Sequence, residues 1–294
     1  RTWYTSYCIG KWISEEMLYM RDGYGVPEIF EYEACGNLKL LYDDIKFVLK
    51  VPIVNFIFRT LAWYVKFLFT AWNDVRYNML TTNMEFAAEK LRYPDISVAV
   101  PQINWAEYYS CSAIESIRKV VFTFNYVNTK LLLIASAWAE SLGNRPIPGN
   151  GNVRGYIAPG ITPGLPDIKL IDINKAPEPI QDLLMDIAGT HHTFDLASDY
   201  RALAYYPDFL GVSWLYLKPY VGTDEYCVIN SQLKQKAIAL AHTMPFPMTI
   251  DRKLLESMYS EKDIAGIMGI VSMFQNFLPG LIIDGEFFRR MIHR

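Results

Sequence analysis

One short segment, 191–204, concentrates much of the polar chemistry that this sequence offers. It opens with adjacent histidines, His191 and His192, and continues through Ser198 and Asp199 into an apolar run. Ser198 is predicted to cap a helix whose first turn contains Asp199. A carboxylate at that position can simply complement the helix dipole. In an apolar cleft, the same carboxylate would have a raised pKa and could act as a general base.

Two amides, Asn125 and Asn128, interrupt the otherwise apolar stretch 120–135. Asn often hydrogen-bonds to its own backbone, so these residues could cap or kink a helix near 126–129. An amide could equally orient a water or a substrate beside a base. The residues alone leave both interpretations of Asn128 open.

Other familiar chemical motifs are absent from the sequence. It has no G-x-S-x-G elbow, no P-loop and no H-E-x-x-H. Adjacent histidines point about 100° apart on a helix and make a poor metal pair. The four cysteines are scattered without a C-x-x-C pair (Cys8, Cys35, Cys111 and Cys227). We therefore expect neither a metal site nor a cofactor.

An internal repeat shows which elements must position these residues. Segments 59–72 and 201–214 share seven of fourteen residues at an offset of 142, and 117–124 matches 267–274 at an offset of 150. Apolar residues recur in the copies at helical spacing, which predicts helices. At the offset of 142, Asp199 and Ser198 correspond to Ile57 and Phe56. If the copies face each other, an apolar wall would stand opposite a single carboxylate.

The repeat predicts an all-α fold of two pseudo-symmetric helical repeats packed as an intramolecular pseudo-dimer, with the ligand pocket between them. Segment 143–166 contains six Gly and five Pro, which excludes a persistent helix or strand there. The predicted divisions are an N-terminal extension at 1–37, a first repeat at 38–142, a linker at 143–178 and a second repeat at 179–294. In the second repeat, Ser260 and Asp263 are predicted to cap a helix that runs towards Phe277.

The composition limits the partners and the location that we expect. With 28 basic and 31 acidic residues the net charge is −3, and no basic run is present, which argues against nucleic acid. The stretch taken as most apolar, 51–72, is broken by Asn55, Arg59 and Lys66, so we expect no membrane span. Scattered cysteines and the lack of a signal peptide predict a reduced, cytoplasmic protein.

Several short strings occur in a characteristic order along the chain. They are 49–52 with Phe56, 124–128 followed by Lys130 and 132–134, His191 with His192, 197–199, 254–258 and 264–266. In this order and spacing the chain, from about 38 to 283, resembles the group I 2-haloacid dehalogenases, which accept both enantiomers of a 2-haloalkanoic acid.

The resemblance implies two pseudo-symmetric helical repeats with the active site between them. It implies that Asp199 is a general base that activates water for direct displacement of halide, with inversion and without an ester intermediate. Asn128 matches the family's active-site amide, which helps to place the water. Phe56, Ala197 and Ser198 match pocket positions. The implied partners are a 2-haloalkanoate and water, with a homodimer as a candidate assembly.

Four positions depart from the family's pattern. Ile53 replaces a Trp, Leu131 and Phe274 each replace a Tyr of the pocket, and Thr129 replaces a Pro. The expected pocket is therefore less aromatic, roomier and poorer in hydroxyl donors, which favours a longer alkyl substrate.

Two other functions stay open at this point. Asp199 could be the covalent nucleophile of a hydrolase of another class. Alternatively, the chain could be a non-catalytic binding protein that retains the fold, an interpretation that the pocket substitutions favour. Halide release from 2-chloro and 2-bromo acids of increasing length would separate these functions from a dehalogenase.

Overall fold

The computed structural model describes residues 26–193 and 195–293, and within them the regular secondary structure is helical apart from one isolated bridge between Thr81 and Tyr156. Before the Pro- and Gly-rich connector lie α1 (Gly36–Leu49), α2 (Phe56–Leu61), α3 (Val65–Met79), α4 (Thr82–Arg92) and α5 (Cys111–Leu142). After it lie α6 (Glu178–Thr190), α7 (Ser198–Leu203), α8 (Pro207–Leu217), α9 (Asp224–Ala241), α10 (Arg252–Glu256) and α11 (Glu261–His293). Short 3-10 helices occur at Ala62–Tyr64, Trp105–Glu107 and Ile173–Lys175. The prediction of an all-α fold is confirmed.

The helices after the connector recur in the order of those before it. Helices α2 and α7 are both six residues long and begin 142 positions apart, and α4 and α9 begin at the same offset. Tyr64 and Tyr206, which precede α3 and α8, have similar backbone angles of φ −109°, ψ 61° and φ −124°, ψ 70°. These features support the predicted repeat, and the pseudo-symmetry of its packing stays a prediction.

One side-chain arrangement also recurs at the same offset. In each copy an Asp accepts hydrogen bonds from the indole N–H of a Trp and from a basic side chain four residues beyond that Trp. The residues are Asp44, Trp72 and Arg76 in the first copy, and Asp186, Trp214 and Lys218 in the second. A repeated sequence thus produces a repeated contact.

The helix boundaries differ from the sequence-based expectation in four places. Each run expected as one helix is divided in two, into α2 and α3 and into α7 and α8. In the second copy Pro207 has no N–H to continue α7 and begins a new helix. Helix α5 is unbroken across 126–129, so a cap or kink there is wrong. Helix α11 continues beyond Phe277 to His293, with Pro279 inside it.

The two long helices, α5 and α11, form the centre of the fold. They pack against each other, α5 also contacts α7 and α9, and α11 also contacts α2. Helices α2 and α5 precede the connector, whereas α7, α9 and α11 follow it, so each half packs against the other. Burial of their apolar faces drives this association.

A segment ahead of α1 joins the two halves. The buried carboxylate of Glu28 accepts hydrogen bonds from Arg59 Nε at 2.7 Å and from Arg201 Nη1 at 2.9 Å. Arg59 and Arg201 occupy equivalent positions of the repeat, and the Phe30 ring centre lies 5.5 Å from both guanidinium carbons. Part of the predicted extension is therefore integral to the fold. The remainder, 1–25 with Cys8, lies outside the described residues.

The connector lies between two long helical stretches. Helix α5 ends at Leu142 and α6 begins at Glu178, with a single short 3-10 helix in between. A linker at 143–178 is consistent with these helix ends, and the division of the chain into four parts stays a prediction.

Two helices, α5 and α11, are long and apolar enough to cross a membrane by length and composition. The sequence-based expectation considered 51–72 alone and overlooked both. The apolar window of α5 is 89% buried and that of α11 is 56% buried inside the fold, and the two helices pack against each other. Their apolar character is thus used in the core, and the absence of a membrane partner stays a prediction.

Candidate active site

A small cavity lies where α2, α5, α7 and α11 meet, and residues from both halves line it. Its volume of about 20 Å³ accommodates roughly one water molecule. The lining residues are Asn55, Phe56, Ile57, Asn128, Leu131, Ala197, Ser198, Asp199, Phe274, Phe277, Leu278 and Leu281. All but one of the residues predicted for the site are therefore on its wall, and the exception is Ile53.

Asp199 and Asn128 form a hydrogen-bonded pair at this cavity. The Nδ2 atom of Asn128 donates to Oδ1 of Asp199 at 2.7 Å, although the two residues are 71 positions apart. Asp199 is in the first turn of α7, and Asn128 is in the middle of α5, where it is 1% exposed. The amide thus holds one carboxylate oxygen and leaves the other for a different partner.

Burial sets the acidity of Asp199. Loss of hydration raises its pKa from the ordinary 3.8 to about 7, and the buried Asp284 carboxylate adds to that rise. The hydrogen bonds from Asn128 and from the backbone N–H of Asp199 itself act in the opposite direction. A carboxyl group with a pKa near neutrality is both ionised and basic enough to accept a proton at physiological pH.

Ser198 has a different role from the predicted one. Helix α7 begins at Ser198 with Ala197 as its N-cap residue, and no side chain caps the helix. The Ser198 hydroxyl instead accepts a hydrogen bond from Arg59 Nη2 at 3.0 Å. Arg59 also donates to the Val54 carbonyl oxygen, and its charge is balanced by Glu28. Because Ser198 accepts from Arg59, its hydroxyl hydrogen is still available as a donor.

Apart from Asn55, the rest of the cavity wall is apolar. The rings of Phe56 and Phe274 meet edge to face with centres 5.2 Å apart, and Leu131 is buried beside the cavity. These side chains fill the space, so the cavity is small rather than roomy as expected. Ile57, the repeat counterpart of Asp199, also lies on the wall. This position agrees with the expectation that an apolar wall stands opposite the carboxylate.

Two residues singled out in the sequence lie elsewhere. Ile53 is buried in the turn before α2, outside the cavity lining, because the wall on that side begins at Asn55. Asn125 faces α11 and donates from Nδ2 to the Gly285 carbonyl at 3.0 Å, so it joins two helices.

The adjacent histidines separate, as expected for neighbours. His191 contacts the Tyr200 hydroxyl and the Asp284 carboxylate, whereas His192 is exposed with a positive φ of 53°. Over the described ranges, no three His, Cys, Asp or Glu side chains are grouped so as to hold a metal ion. The absence of a metal or cofactor stays a prediction.

Three ionisable residues near the site went unnoticed in the sequence: Glu28, Arg59 and Asp284. Arg59 was treated only as an interruption of an apolar stretch, and Asp284 lies in the apolar run 278–288 of α11. A charged residue inside an apolar run is rarely buried unless it is paired. The position of Arg59 and Asp284 in such runs could therefore have identified both as paired residues.

The arrangement can hold about one water molecule beside a potential general base. Asp199 can accept a proton from water, Asn128 fixes the carboxylate, and the apolar wall excludes competing water. No group on the wall other than Asp199 is an ionised carboxylate or amine.

Comparison with known proteins identifies the family to which the chain belongs. The family model described as halocarboxylic acid dehydrogenase DehI matches residues 52–200. The chain is 32% identical over 268 residues to a configuration-inverting 2-haloacid dehalogenase of Alcaligenes xylosoxydans xylosoxydans, covering 88% of this chain and 90% of that protein. It is 26% identical over 272 residues to an (R)-2-haloacid dehalogenase of Pseudomonas putida, covering 88% of this chain and 90% of that protein.

Solved structures give the same result. A D-2-haloacid dehalogenase in complex with L-LA has a TM-score of 0.85 and 25% sequence identity, over 92% of this chain and 97% of that one. A mutant D-2-haloacid dehalogenase in complex with D-2-CPA has a TM-score of 0.83 and 25% identity, over 92% and 96%. With a family model that matches half of the sequence and a relative 32% identical along nearly all of it, this chain belongs to the DehI family of 2-haloacid dehalogenases.

Proposed function

We propose that this enzyme converts 2-haloalkanoic acids to 2-hydroxyalkanoic acids by direct attack of a water that Asp199 activates, with inversion and without a covalent ester. The observation that carries the proposal is the buried Asp199–Asn128 pair, 2.7 Å apart, on an otherwise mostly apolar cavity. Two relatives named as configuration-inverting 2-haloacid dehalogenases support the reaction class and its stereochemistry.

In the proposed reaction, the water oxygen forms a bond to C2 of the substrate while the bond from C2 to the halogen breaks. The bonding electrons leave with the halide, and Asp199 takes one proton from the water. Attack opposite the leaving group inverts the configuration at C2. General-base assistance of this kind contributes roughly 10²–10⁴-fold to the rate.

Asn128 is proposed to orient the base. By binding Oδ1 of Asp199, its amide leaves Oδ2 to accept a hydrogen bond from water. Holding water and base in a fixed geometry lowers the entropic part of the barrier, by up to about 7–11 kcal/mol in the best cases.

The substrate carboxylate is proposed to bind at the start of α7. Ser198 can donate its hydroxyl hydrogen there because Arg59 occupies the hydroxyl oxygen. The positive end of the helix dipole adds attraction for an anion. The apolar side chains of Phe56, Leu131 and Phe274 would then surround the alkyl group and the leaving halide.

The direct mechanism is tested by a single turnover in heavy-oxygen water with enzyme in excess over 2-bromopropanoate. We expect the label in the hydroxyl group of the product and none in the peptide that contains Asp199. Label in that peptide would mean an ester intermediate and would make Asp199 the nucleophile. Starting from each pure enantiomer, chiral chromatography of the product reports inversion and the enantiomer preference.

Halide release distinguishes an enzyme from a binding protein. We expect release from at least one of the 2-chloro and 2-bromo acids of two to six carbons, and binding of these acids without any release would support the non-catalytic alternative. The cytoplasmic location and the homodimer stay predictions, and sedimentation of the purified protein tests the dimer.

A further inference from the structure

Four polar side chains form a buried cluster behind the proposed base. The Tyr200 hydroxyl donates to Asp284 Oδ2, the Tyr226 hydroxyl donates to Oδ1 at 3.1 Å, and His191 Nε2 lies 3.0 Å from Oδ2. His191 Nε2 is also 3.1 Å from the Tyr200 hydroxyl. Asp284 is 1% exposed. We call these four residues the Asp284 cluster.

The other half of the molecule shows that helix packing at these positions does not require polar groups. At the offsets of the internal repeat, the counterparts of His191, Tyr200, Tyr226 and Asp284 are Leu49, Phe58, Met84 and Ile134. All four counterparts are apolar and essentially inaccessible to solvent. Burying a carboxylate is costly even when it is well hydrogen-bonded, so the polar version needs a reason beyond packing.

The cluster includes Tyr200, the neighbour of Asp199 in the chain. Tyr200, the residue after the base, is the side chain of α7 that reaches Asp284 on α11. The charge of Asp284 is one of the causes that raise the pKa of Asp199. Ile57, the repeat counterpart of Asp199, precedes Phe58, the counterpart of Tyr200, in the sequence. The second half therefore contains both the proposed base and the polar cluster, whereas the first half has apolar residues at all of these positions.

Few other charged or titratable groups surround the base. Asn128 on α5 is uncharged, and Arg59 on α2 is paired with Glu28. Asp208 on α8 is exposed. Among the described residues, Asp195 ahead of α7 accepts from two backbone N–H groups, and Lys130 on α5 is paired with Glu85. The charged group that acts on the Asp199 pKa is Asp284 of the cluster.

We propose that Asp284 is a positioning residue for the dehalogenation, which holds α7 in place through Tyr200 and puts a second buried carboxylate behind Asp199. The proposal rests on the function proposed above, because it requires Asp199 to be the base. It adds that the base is made effective by a second carboxylate that never contacts the substrate.

The test is the variant Asp284→Asn, studied by direct titration of Asp199. The carbonyl band of protonated Asp199, recognised by its loss in Asp199→Asn, is followed against pH by difference infrared spectroscopy, which needs no turnover. Removal of the neighbouring negative charge should lower the midpoint of this titration by about one pH unit. The acid limb of the kcat/KM profile should move to lower pH by the same amount, while the plateau falls severalfold because a weaker base removes the proton.

The matched control is Asp186→Asn. It removes one negative charge from the same half while leaving an acceptor for the Trp214 indole N–H, but Asp186 is partly exposed and lies outside the cluster. The Asp199 titration should stay at its wild-type midpoint in this variant. Asp284→Asn is expected to fold, because Asn can still accept from Tyr200 and the Tyr226 hydroxyl has the Gly280 carbonyl at 3.3 Å as a second acceptor. If it does not fold, the double variant Asp284→Asn with Tyr226→Phe also removes the Tyr226 hydroxyl, and Asp199 is titrated in that variant in the same way.

The outcomes separate the two proposals. An unchanged Asp199 midpoint in folded Asp284→Asn, even with reduced activity, would show a purely structural role and overturn the inference, while leaving the dehalogenation mechanism intact. Turnover that persists in Asp199→Asn would instead overturn the general-base mechanism, whatever Asp284 does.

Discussion

At the scale of single residues, the two copies of the repeat differ at a position beside the cavity. Asp199 and Ile57 occupy equivalent positions near the starts of α7 and α2, and both are on the cavity wall. One helix position therefore supplies the proposed base in one copy and an apolar surface in the other. The proposed chemistry requires this difference, since two facing carboxylates would repel each other and an anionic substrate.

Replacing the proposed base should remove activity and raise the free energy of unfolding at pH 8. We expect Asp199→Asn to abolish turnover and to be more stable than the wild type at pH 8. In the folded protein the Asp199 pKa is raised from 3.8 to about 7, so the native state holds the proton more tightly than the unfolded chain does. Its ionisation therefore costs no stability below about pH 4, a growing amount up to pH 7 and the full amount above that.

Asn cannot ionise, so the variant avoids this cost, which is roughly 1–4 kcal/mol at pH 8 and vanishes near pH 4. Urea unfolding at the two pH values measures the difference. Equal stability of the two proteins at pH 8 would contradict a raised pKa, and halide release within tenfold of wild type would show that another group is the base.

The cavity wall should set the preferred substrate length. Phe274→Leu removes part of a ring that meets Phe56, so it should enlarge the cavity and favour 2-bromohexanoate over 2-bromopropanoate. Each accommodated methylene is worth about 1–3 kcal/mol, so the ratio of kcat/KM values should rise on the order of tenfold. Ile53→Val, a buried deletion outside the lining, is the matched control and should leave the ratio unchanged. A shift in the Ile53 variant alone would restore the sequence-based view that Ile53 forms the wall.

At the scale of elements, the site depends on how α5 and α11 are held together. Asn125 on α5 donates to the Gly285 carbonyl on α11, one turn away from Asn128 and next to Asp284. A side chain at 285 would occupy the space of the Asn125 Oδ1 atom. Glycine is therefore required here for close approach of the two helices and not for an unusual backbone conformation.

Gly285→Ala should accordingly destabilise the protein by about 1–3 kcal/mol, the usual range for overpacking a well-filled interior. Gly269→Ala in the same helix is the control, because an added methyl there meets nothing within 4 Å. That change should be neutral or stabilising by up to about 1 kcal/mol through helix propensity. Thermal unfolding of both variants measures the contrast, and similar behaviour would refute the close contact.

At the scale of the whole molecule, Glu28 joins equivalent arginines of the two halves. Arg59 is fully buried and Arg201 largely so, and both depend on the same carboxylate. Because Arg59 also holds Ser198, this junction connects the packing of the halves with the cavity.

Glu28→Gln should be strongly destabilising, by about 3–5 kcal/mol, since it leaves two guanidinium groups without their buried partner. Asp44→Asn breaks a pair with Arg76 that is about one third exposed and should cost only about 1 kcal/mol. Denaturant midpoints of the two variants provide the comparison. A loss in Glu28→Gln no greater than in Asp44→Asn would mean that the halves are held together by apolar packing alone.

Much of this protein follows from its sequence by itself. Helical spacing of apolar residues predicted an all-α fold, the offset of 142 predicted two matching sets of helices, and the Gly and Pro content of 143–166 predicted the connector. These patterns are local, and local backbone preferences express them directly. The ordered strings around Asn128 and Asp199 indicated the dehalogenase family, which the comparisons confirmed.

Only the tertiary structure decided which side chains meet. The sequence left Asn128 undecided between a helix kink and a functional amide, and the packing of α5 on α7 put its Nδ2 on Asp199. Ser198, predicted as a cap, instead binds Arg59, 139 positions away. Periodicity defines the face of a helix but not the angle and register at which two faces interlock, and these depend on the shapes of all the packed side chains together. For the same reason the acidity of Asp199 could not be obtained from sequence, because it depends on burial and on Asp284, which comes 85 positions later in the chain.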